Sequence, residues 1–181
     1  MAVLTPIIIG AIGTAIASYF QEKNWRHQNE VQSRESEREK ATQLFDTLSS
    51  AMDTRLFSMR QVFWGIDSPN ITEQEVKERW AAYRSTLVTW NNSLNRNLSM
   101  VERYFGDKAR VVFEEQIQPG FRRLGLLLAD YYYNVDKRKD FDKGEFSKTA
   151  DALNELMREA NIAMIKSIQD GRVGIFNPAV E

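Results

Sequence analysis

The chain has no cysteine and only one histidine, His27, among its 181 residues. The missing thiols exclude disulfides, thiolate metal sites and cysteine nucleophiles, and they fit a reducing compartment. A single histidine also removes the usual components of zinc enzymes and of histidine-based catalytic triads. The sequence contains no phosphate-binding glycine loop, no nucleophile elbow and no helical zinc motif. We therefore predict that the protein is not an enzyme and has no catalytic, cofactor-binding or metal-binding residues and no cofactor.

An excess of charge of one sign is also missing, because 24 lysines and arginines face 25 acidic residues, for a net charge of -1. Without a global electrostatic field, direct nucleic-acid binding is not expected. The mean hydropathy of -0.47 is clearly polar, and yet residues 2–20 contain no charged side chain. This contrast makes the N-terminal segment the most informative part of the sequence.

Residues 1–20 are predicted to form a transmembrane helix, since a helix over this uncharged stretch would extend about 28 Å, close to the ~30 Å hydrocarbon core of a bilayer. Thr5 and Pro6 suit the N-cap and the first helical position, and a start there shortens the apolar part to about 22 Å. A cleaved signal is one alternative, because Ala15 and Ala17 resemble a cleavage site, but no basic residue precedes the apolar run. A buried helix of a soluble bundle is the other alternative.

Small residues form one stripe of this helix, and isoleucines form another. Small side chains let helices approach closely inside a membrane, where apolar burial no longer drives association. The stripe therefore predicts a helix contact with another copy of the chain or, in a ring of copies, the lining of a pore. A lone anchor with incidental glycines is the alternative reading. The predicted contact or lining residues are Gly10, Gly13, Thr14, Ala17 and Ser18.

The residues after the apolar run predict its orientation. Basic side chains follow it and none precedes it, so the positive-inside tendency places the C-terminal domain in the cytoplasm and the span in the inner membrane as a single pass. Aromatic side chains near this end are typical of the belt at a membrane interface. The predicted interfacial residues, in contact with the lipid bilayer, are Tyr19, Phe20, Lys23, Trp25, Arg26 and His27.

The rest of the chain is predicted to be all-α. Residues 21–40 are polar on every side and read as a helical stalk continuous with the span. Residues 41–170 are predicted to form a cytoplasmic bundle of about four long helices joined by short loops, and residues 171–181 form a tail that docks or frays.

Glycine, proline and capping residues within the predicted bundle indicate where its helices begin and end. Gly65 ends the first helix, a capping box of Thr72 and Glu75 starts the second, and Gly106 stops it. Asp107 is predicted to cap a short helix from Val111 to Ile117, which breaks near Pro119. The helical pattern resumes at Phe121, a charged loop follows Tyr133, and Phe146 to Ile168 form the last helix.

Two polar or aromatic clusters invite a functional interpretation. Asn91 and Asn95 lie one turn apart beside the apolar seam, as expected of a buried amide pair or a subunit contact, although a solvated polar face is the plain alternative. The three tyrosines of residues 131–133 could stack on a ligand, but on a helix they point in different directions and suit the core and its rim.

The order of these parts resembles the small membrane accessory protein of type VI-B CRISPR loci, and the stretch WNNSLNRNLSMVERYFG resembles uncharacterised bacterial membrane-anchored proteins. The resemblance implies a ring-shaped oligomer that acts as a membrane pore in antiviral defence. Some members of that group have been likened to a ribonuclease fold with an arginine-to-histidine motif. No arginine precedes His27 at the required spacing, so the resemblance implies no nuclease residue here.

Two functions therefore remain open at this point. In the first, the chain is a homo-oligomeric pore or channel-like effector held together by its first helix and its bundle. In the second, the span is only an anchor, and a face of the bundle binds a cytoplasmic protein partner as an adaptor or scaffold.

Overall fold

The computed structural model describes the backbone of residues 4–178 and the side chains of residues 18–136 and 138–178. In this part of the chain all regular elements are helical and there is no strand, which confirms the predicted all-α class with about four helices. In chain order the elements are α1 (Leu4–Ile66), α2 (Glu73–Phe105), α3 (Asp107–Val112), a π-helical turn (Phe113–Ile117), α4 (Gln118–Tyr133), a 3₁₀ turn (Val135–Asp140), α5 (Lys143–Gln169) and a second 3₁₀ turn (Gly174–Phe176).

Helix α1 is one uninterrupted rod of 63 residues, about 95 Å long at the rise of an α-helix. It begins at Leu4, one residue before the predicted N-cap Thr5. All side chains of residues 18–36 are exposed, and the first buried side chain is that of Glu37. From Ala41 to Phe63 one face of the helix is buried at three- and four-residue intervals. Residues 18–36 of α1 therefore project from the bundle, and the second half of the helix is part of it.

The described helices include none with a stretch that is both long and apolar enough to be a candidate membrane span. The side chains of Gly10, Gly13, Thr14 and Ala17 lie outside the described residues. Their predicted helix contact stays a prediction.

The ends of α2 follow from its sequence. The Thr72 hydroxyl accepts the Glu75 backbone N–H at 3.2 Å, and the Glu75 carboxylate accepts the Thr72 backbone N–H at 2.7 Å, which confirms the predicted capping box. Gly106 ends the helix with φ of 89°, a value that favours glycine, and its N–H donates to the Glu102 carbonyl. The predicted cap at Asp107 is wrong, because the Asp107 carboxylate accepts from Arg110 at 2.7 Å and makes no capping bond.

The predicted break near Pro119 is also wrong, since α3, the π-helical turn and α4 form one continuous helical path. Proline normally interrupts a helix because it lacks an N–H and its ring collides with the carbonyl four residues earlier. Here the Gln118 N–H donates to the Phe113 carbonyl five residues back, so the chain is already in a wider turn when it reaches Pro119. Pro119 consequently lies in the first turn of α4, where its missing N–H costs little.

The core lies where α1, α2, α4 and α5 meet. Phe63 of α1 stacks on Phe146 of α5 at 4.0 Å between ring centroids, and Trp90 of α2 packs on Phe121 of α4 at 5.6 Å. These contacts join all four long helices through one apolar cluster. The largest side chains that are fully buried in it are Tyr131, Phe121, Phe146, Leu48, Met52, Met59, Ile117, Leu124, Leu128, Leu153, Met157 and Met164.

Candidate functional site

The stalk part of α1 satisfies its charges within the helix. Arg26 pairs with Glu22 and Arg34 pairs with Glu30, each four residues apart on the helix surface. Such exposed pairs stabilise a helix by only a few tenths of a kcal/mol. They balance these charges within α1, so no second helix is needed to pair with them. Residues 18–36 therefore have the character of a solvated spacer.

The predicted interfacial side chains all lie on this spacer and are exposed. Tyr19 and Trp25 each keep 63% of their surface accessible, and Phe20 keeps 57%. Lys23 and His27 are exposed and make no ion pair among the described residues, whereas Arg26 pairs with Glu22. Ser18, the last residue of the predicted small stripe, is exposed as well. Their contact with a bilayer stays a prediction.

A buried carboxylate marks the point at which α1 leaves the bundle. Glu37 is only 6% exposed, and it accepts the Ile175 backbone N–H at 3.3 Å. Lys40 lies 3.5 Å from its carboxylate and Arg103 of α2 lies 3.7 Å away. We call this junction of α1, α2 and the C-terminal tail the collar. The collar was not predicted from the sequence. Glu37 lies three residues before Lys40 and four before the buried Ala41, so it begins the series of buried positions on α1.

The tail docks at the collar because Gly174 permits a very close approach. Its φ of 56° is in the left-handed region, and a Cβ atom at this position would lie 1.8 Å from the Glu37 carboxylate. Val173 beside it is 1% exposed, and the Asn177 side-chain amide donates to the Tyr104 carbonyl. The Arg34 guanidinium lies 4.5 Å from the centre of the Phe176 ring. Of the two predicted alternatives for the tail, docking is the one found for residues 171–178.

The predicted amide pair is not buried within the chain, because both Asn91 and Asn95 are exposed. The buried amide of α2 is that of Asn97, which is 8% exposed and donates to the Ser93 hydroxyl at 3.2 Å. Spacing could have identified it, since Asn97 follows buried Trp90 by seven residues and precedes buried Val101 by four. A subunit contact through Asn91 or Asn95 stays a prediction.

The tyrosine run behaves as the plain interpretation predicted. Tyr131 is 1% exposed and stacks on Phe141, Tyr132 stacks on Trp80 at 4.3 Å, and Tyr133 points outward with 59% of its surface exposed. The Trp80 indole N–H donates to the Tyr133 hydroxyl at 3.2 Å. Trp80 and Tyr133 line one end of a groove between α2 and α4.

The α2/α4 groove is a surface concavity lined by both apolar and charged side chains. Both helices pack on α1 and leave a space of about 600 Å³ between them. Glu114 of the π-helical turn, Gln118 at the start of α4 and the exposed Asn91 of α2 also line the groove. π-Helical turns inside α-helical segments occur frequently at functional sites.

Arg55 of α1 lines the floor of the groove and is 4% exposed. Its guanidinium carbon lies 4.5 Å from the centre of the Phe121 ring and 5.4 Å from that of Trp90. No ion pair holds it within the described residues, and its Nε atom is buried without a hydrogen-bond partner. Burial lowers the pKa of Arg55, and interaction with Tyr83 opposes that change. An arginine nevertheless stays charged at neutral pH, so the floor carries an uncompensated positive charge.

The shape of this floor depends on a glycine of α4. A Cβ atom on Gly125 would lie 2.9 Å from the Tyr83 hydroxyl, so only glycine leaves room for that hydroxyl in its present position. Desolvation raises the pKa of Tyr83, which stays protonated at neutral pH despite the nearby Arg55. The Tyr83 hydroxyl can therefore still donate a hydrogen bond beside Arg55 on the floor of the groove.

The rim of the groove adds two more arginines, Arg84 of α2 and Arg122 of α4. Both are exposed, and neither makes an ion pair in the part of the chain that the structure describes. The one carboxylate on the lining is that of Glu114, which is paired with Arg110. The groove therefore has a net positive charge.

Arg55 was not among the residues predicted to be functional, although its position carries a signal. It follows buried Met52 by three residues and precedes buried Met59 by four, which is the spacing of the apolar face of α1. An arginine in such a register must be paired, stacked or bound to something. Arg84 and Arg122 carry no comparable signal, because exposed arginines on helices are common and only the packing of α2 and α4 brings these two together.

The described residues contain no cluster of three or more histidine, cysteine, aspartate or glutamate side chains that could hold a metal ion. The prediction that the protein is not an enzyme stays a prediction, as do the predicted pore and the proposed relationship to CRISPR loci. The sequence matches no protein-family model, and no curated protein and no solved structure shows significant similarity to it.

Proposed function

We propose that the chain is a membrane-anchored helical protein whose bundle is held away from the bilayer as a cytoplasmic binding module. The observation that carries the proposal is the continuity of α1, which runs without a break from the uncharged N-terminal segment into the core of the bundle. A rigid helix transmits the position of one end to the other, whereas a flexible linker does not.

The exposed stalk supports this tether. Residues 18–36 correspond to about 28 Å of helix, and their ion pairs are internal to the helix. The collar fixes the stalk to α2 and to the tail, so the anchor and the bundle would move as one body. Basic and aromatic side chains at the start of the stalk, such as Lys23 and Trp25, suit a membrane interface on the cytoplasmic side.

Fractionation of cells that express the full-length chain tests the anchor. We expect it in the membrane fraction after an alkaline carbonate wash, and we expect a variant without residues 1–20 to be soluble and helical because the remaining chain is polar and has its own core. A variant without residues 171–181 is the matched control and should stay in the membrane fraction. Recovery of the full-length chain as a soluble protein without detergent would exclude the anchor and favour a first helix buried in a soluble assembly.

A homo-oligomeric pore is the second candidate, and the stripe of small residues in the N-terminal sequence favours it. Close helix packing through Gly10, Gly13 and Ala17 would assemble several copies, and Thr14 and Ser18 could face a common axis. Such a lumen holds no charged ring, so it would pass ions with little selectivity. The resemblance to the accessory proteins of type VI-B CRISPR loci points in the same direction and suggests a role in antiviral defence.

Substitutions in the stripe separate the tether from the pore. Replacing Gly10 and Gly13 with leucine should leave insertion intact, because lipid accommodates the added bulk, and Ile12→Leu on the bulky face is the control. If the chain is a pore, the double variant loses both its oligomeric mass in detergent and its ability to depolarise vesicles. If the chain is a simple tether, the mass is unchanged and vesicles with the wild-type protein hold a potential as well as empty ones.

A further inference from the structure

The α2/α4 groove has a charge imbalance that nothing in the described chain resolves. Arg55, Arg84 and Arg122 line it without ion pairs, while other surface arginines such as Arg60 and Arg123 pair with carboxylates of α5. Glu114 on the groove lining is paired with Arg110 and does not neutralise them. Three unpaired arginines that converge on one concavity form an anion-attracting surface.

Arg55 shows that the groove is more than an exposed basic patch. A buried charge without a carboxylate partner is costly, and the faces of Phe121 and Trp90 offset only part of that cost. The Nε atom of Arg55 is buried without a hydrogen-bond partner, so the chain itself does not satisfy this guanidinium. An anion bound in the groove would supply the missing countercharge. Binding would then relieve the unfavourable free energy of burying the Arg55 charge, and this relief would favour the complex.

We propose that the α2/α4 groove binds a small phosphate monoester with a flat organic body. The phosphate carries close to two negative charges at neutral pH and presents several acceptor oxygens, which matches the arginine fork better than a single carboxylate does. The flat body fits because Leu87, Leu126 and the Trp80 ring provide apolar walls beside the arginines. A volume of about 600 Å³ is in the range of small-molecule sites.

The recognition has a definite geometry. The phosphate lies above the floor at Arg55 and is clamped from the two rims by Arg84 and Arg122. The organic body points along the groove toward the aromatic end formed by Trp80 and Tyr133. The proposal does not depend on the membrane anchor, so failure of one leaves the other intact.

Isothermal titration of the full-length protein in an uncharged detergent tests the proposal, with phenyl phosphate as the probe. Inorganic phosphate carries the charge without the flat body, and benzamide carries a flat body without the charge. We expect saturable binding of phenyl phosphate at one site per chain, at least about tenfold weaker binding of inorganic phosphate, and no measurable binding of benzamide. Equal binding of phenyl phosphate and benzamide, or no binding of phenyl phosphate, overturns the proposal.

Rim variants locate the site. Arg84→Gln and Arg122→Gln should each weaken phenyl phosphate binding about tenfold, because each removes one charge-assisted contact. Arg96→Gln is the matched control, since Arg96 is an exposed arginine of α2 that does not line the groove. If Arg96→Gln weakens binding as much as the rim variants do, the effect is a general one of charge and the site assignment is wrong.

The floor variant Arg55→Met separates binding from folding. It removes an unpaired buried charge and keeps an unbranched side chain of similar length, so its melting temperature should equal or exceed that of the wild type while phenyl phosphate binding is lost. Phenyl phosphate should raise the melting temperature of the wild type and not that of the variant. An Arg55→Met variant that binds phenyl phosphate as tightly as the wild type overturns the proposal, and Arg122→Gln tests the same groove if the floor variant does not fold.

Discussion

At the scale of single residues, a few charged side chains are buried, which is unfavourable unless a partner compensates the charge. Glu37 and Arg55 are charged and more than nine-tenths buried, and both lie on the core face of α1. The chain compensates Glu37 with two basic side chains and a backbone N–H, but it gives Arg55 only aromatic faces and the Tyr83 hydroxyl. The junction at Glu37 is therefore complete within the chain, whereas the charge of Arg55 is not balanced by any described residue.

Gly174 provides a test of the collar at this scale. Gly174→Ala should destabilise the protein by more than Gly171→Ala, because both residues have positive φ but only Gly174 lies against the Glu37 carboxylate. The shared conformational cost is about 1–2 kcal/mol, and the steric conflict adds to it only at residue 174. Chemical denaturation followed by circular dichroism measures the difference. Equal losses for the two variants would mean that the tail does not dock on Glu37.

At the scale of elements, the bundle depends on a small number of interactions at helix ends. Arg138 of the 3₁₀ turn donates to the Tyr131 and Tyr132 carbonyls at 3.1 and 2.9 Å, and so it satisfies the C-terminal end of α4. The Asp142 carboxylate accepts the Glu145 N–H at 2.9 Å and caps α5. The turn between α4 and α5 is therefore ordered by its polar side chains although it contains few apolar ones.

The capping box of α2 predicts a specific loss of stability. Thr72→Ala removes the hydroxyl that caps the Glu75 N–H and should cost about 0.5–2 kcal/mol. Thr86→Ala makes the same chemical change within α2, where the hydroxyl only bonds the Ala82 carbonyl one turn back, and it should change stability by less than about 0.5 kcal/mol. Denaturant midpoints of the two variants measure these losses of stability, and a similar loss at both sites would contradict the capping role.

The contact between the α1–α2 turn and α4 predicts a pH effect. Burial, and then the hydrogen bond to Asp67, raise the pKa of Tyr131 to about 12. Since the folded protein holds this proton more tightly than the unfolded chain does, the contribution to stability is complete below pH 10 and is lost as the pH rises through about 12. Asp67→Asn removes the negative charge, so Tyr131 of the folded protein should ionise at a lower pH. The alkaline loss of stability should still begin near pH 10, where the unfolded chain ionises, but it should be smaller and end at a lower pH.

Ultraviolet titration of tyrosinate absorbance measures that shift. Asp136→Asn is the control, because Asp136 is an exposed carboxylate of the neighbouring 3₁₀ turn without a bond to Tyr131. Identical titration curves for Asp67→Asn and the wild type would show that Asp67 does not hold the Tyr131 proton.

At the scale of the whole molecule, α1 has two parts with different surroundings. Its residues 18–36 have no buried side chain, and from Glu37 onward one face of the helix is buried in the core. One helix thus serves as the stalk and as the central packing surface of the bundle, and the collar is the border between the two roles.

Truncation at this border predicts an abrupt change in stability. A chain that begins at residue 37 should unfold cooperatively with a melting temperature close to that of the full-length protein, because it loses little beyond the contact of Arg34 with Phe176. A chain that begins at residue 45 also loses Glu37, Ala41 and Leu44, so the tail is released and the melting temperature should drop markedly. Similar melting temperatures for the two truncations would place the border elsewhere.

The amino-acid sequence by itself determined the helical class, the number of long helices and most of their ends. These depend on local chemistry: apolar residues at three- and four-residue intervals, the hydroxyl of Thr72 with the carboxylate of Glu75, and the glycine at residue 106. Where a predicted helix boundary was wrong, the conformation of the neighbouring residues differed from the one expected from the local sequence. The wide π-helical turn accommodates Pro119, and α3 begins at Asp107 itself, with Gly106 in the N-cap position.

Only the tertiary structure decided which polar residues matter. Asn97 rather than Asn91 or Asn95 is buried, Glu37 meets a tail more than a hundred residues away in the sequence, and Arg55 becomes the floor of a groove whose rims come from α2 and α4. Spacing along α1 and α2 indicates that Arg55 and Asn97 lie on buried faces, but no local pattern encodes what they meet there, because the partners depend on how the helices pack on one another. Local sequence fixes what each helix is, whereas the packing of helices on α1 fixes what each side chain can do.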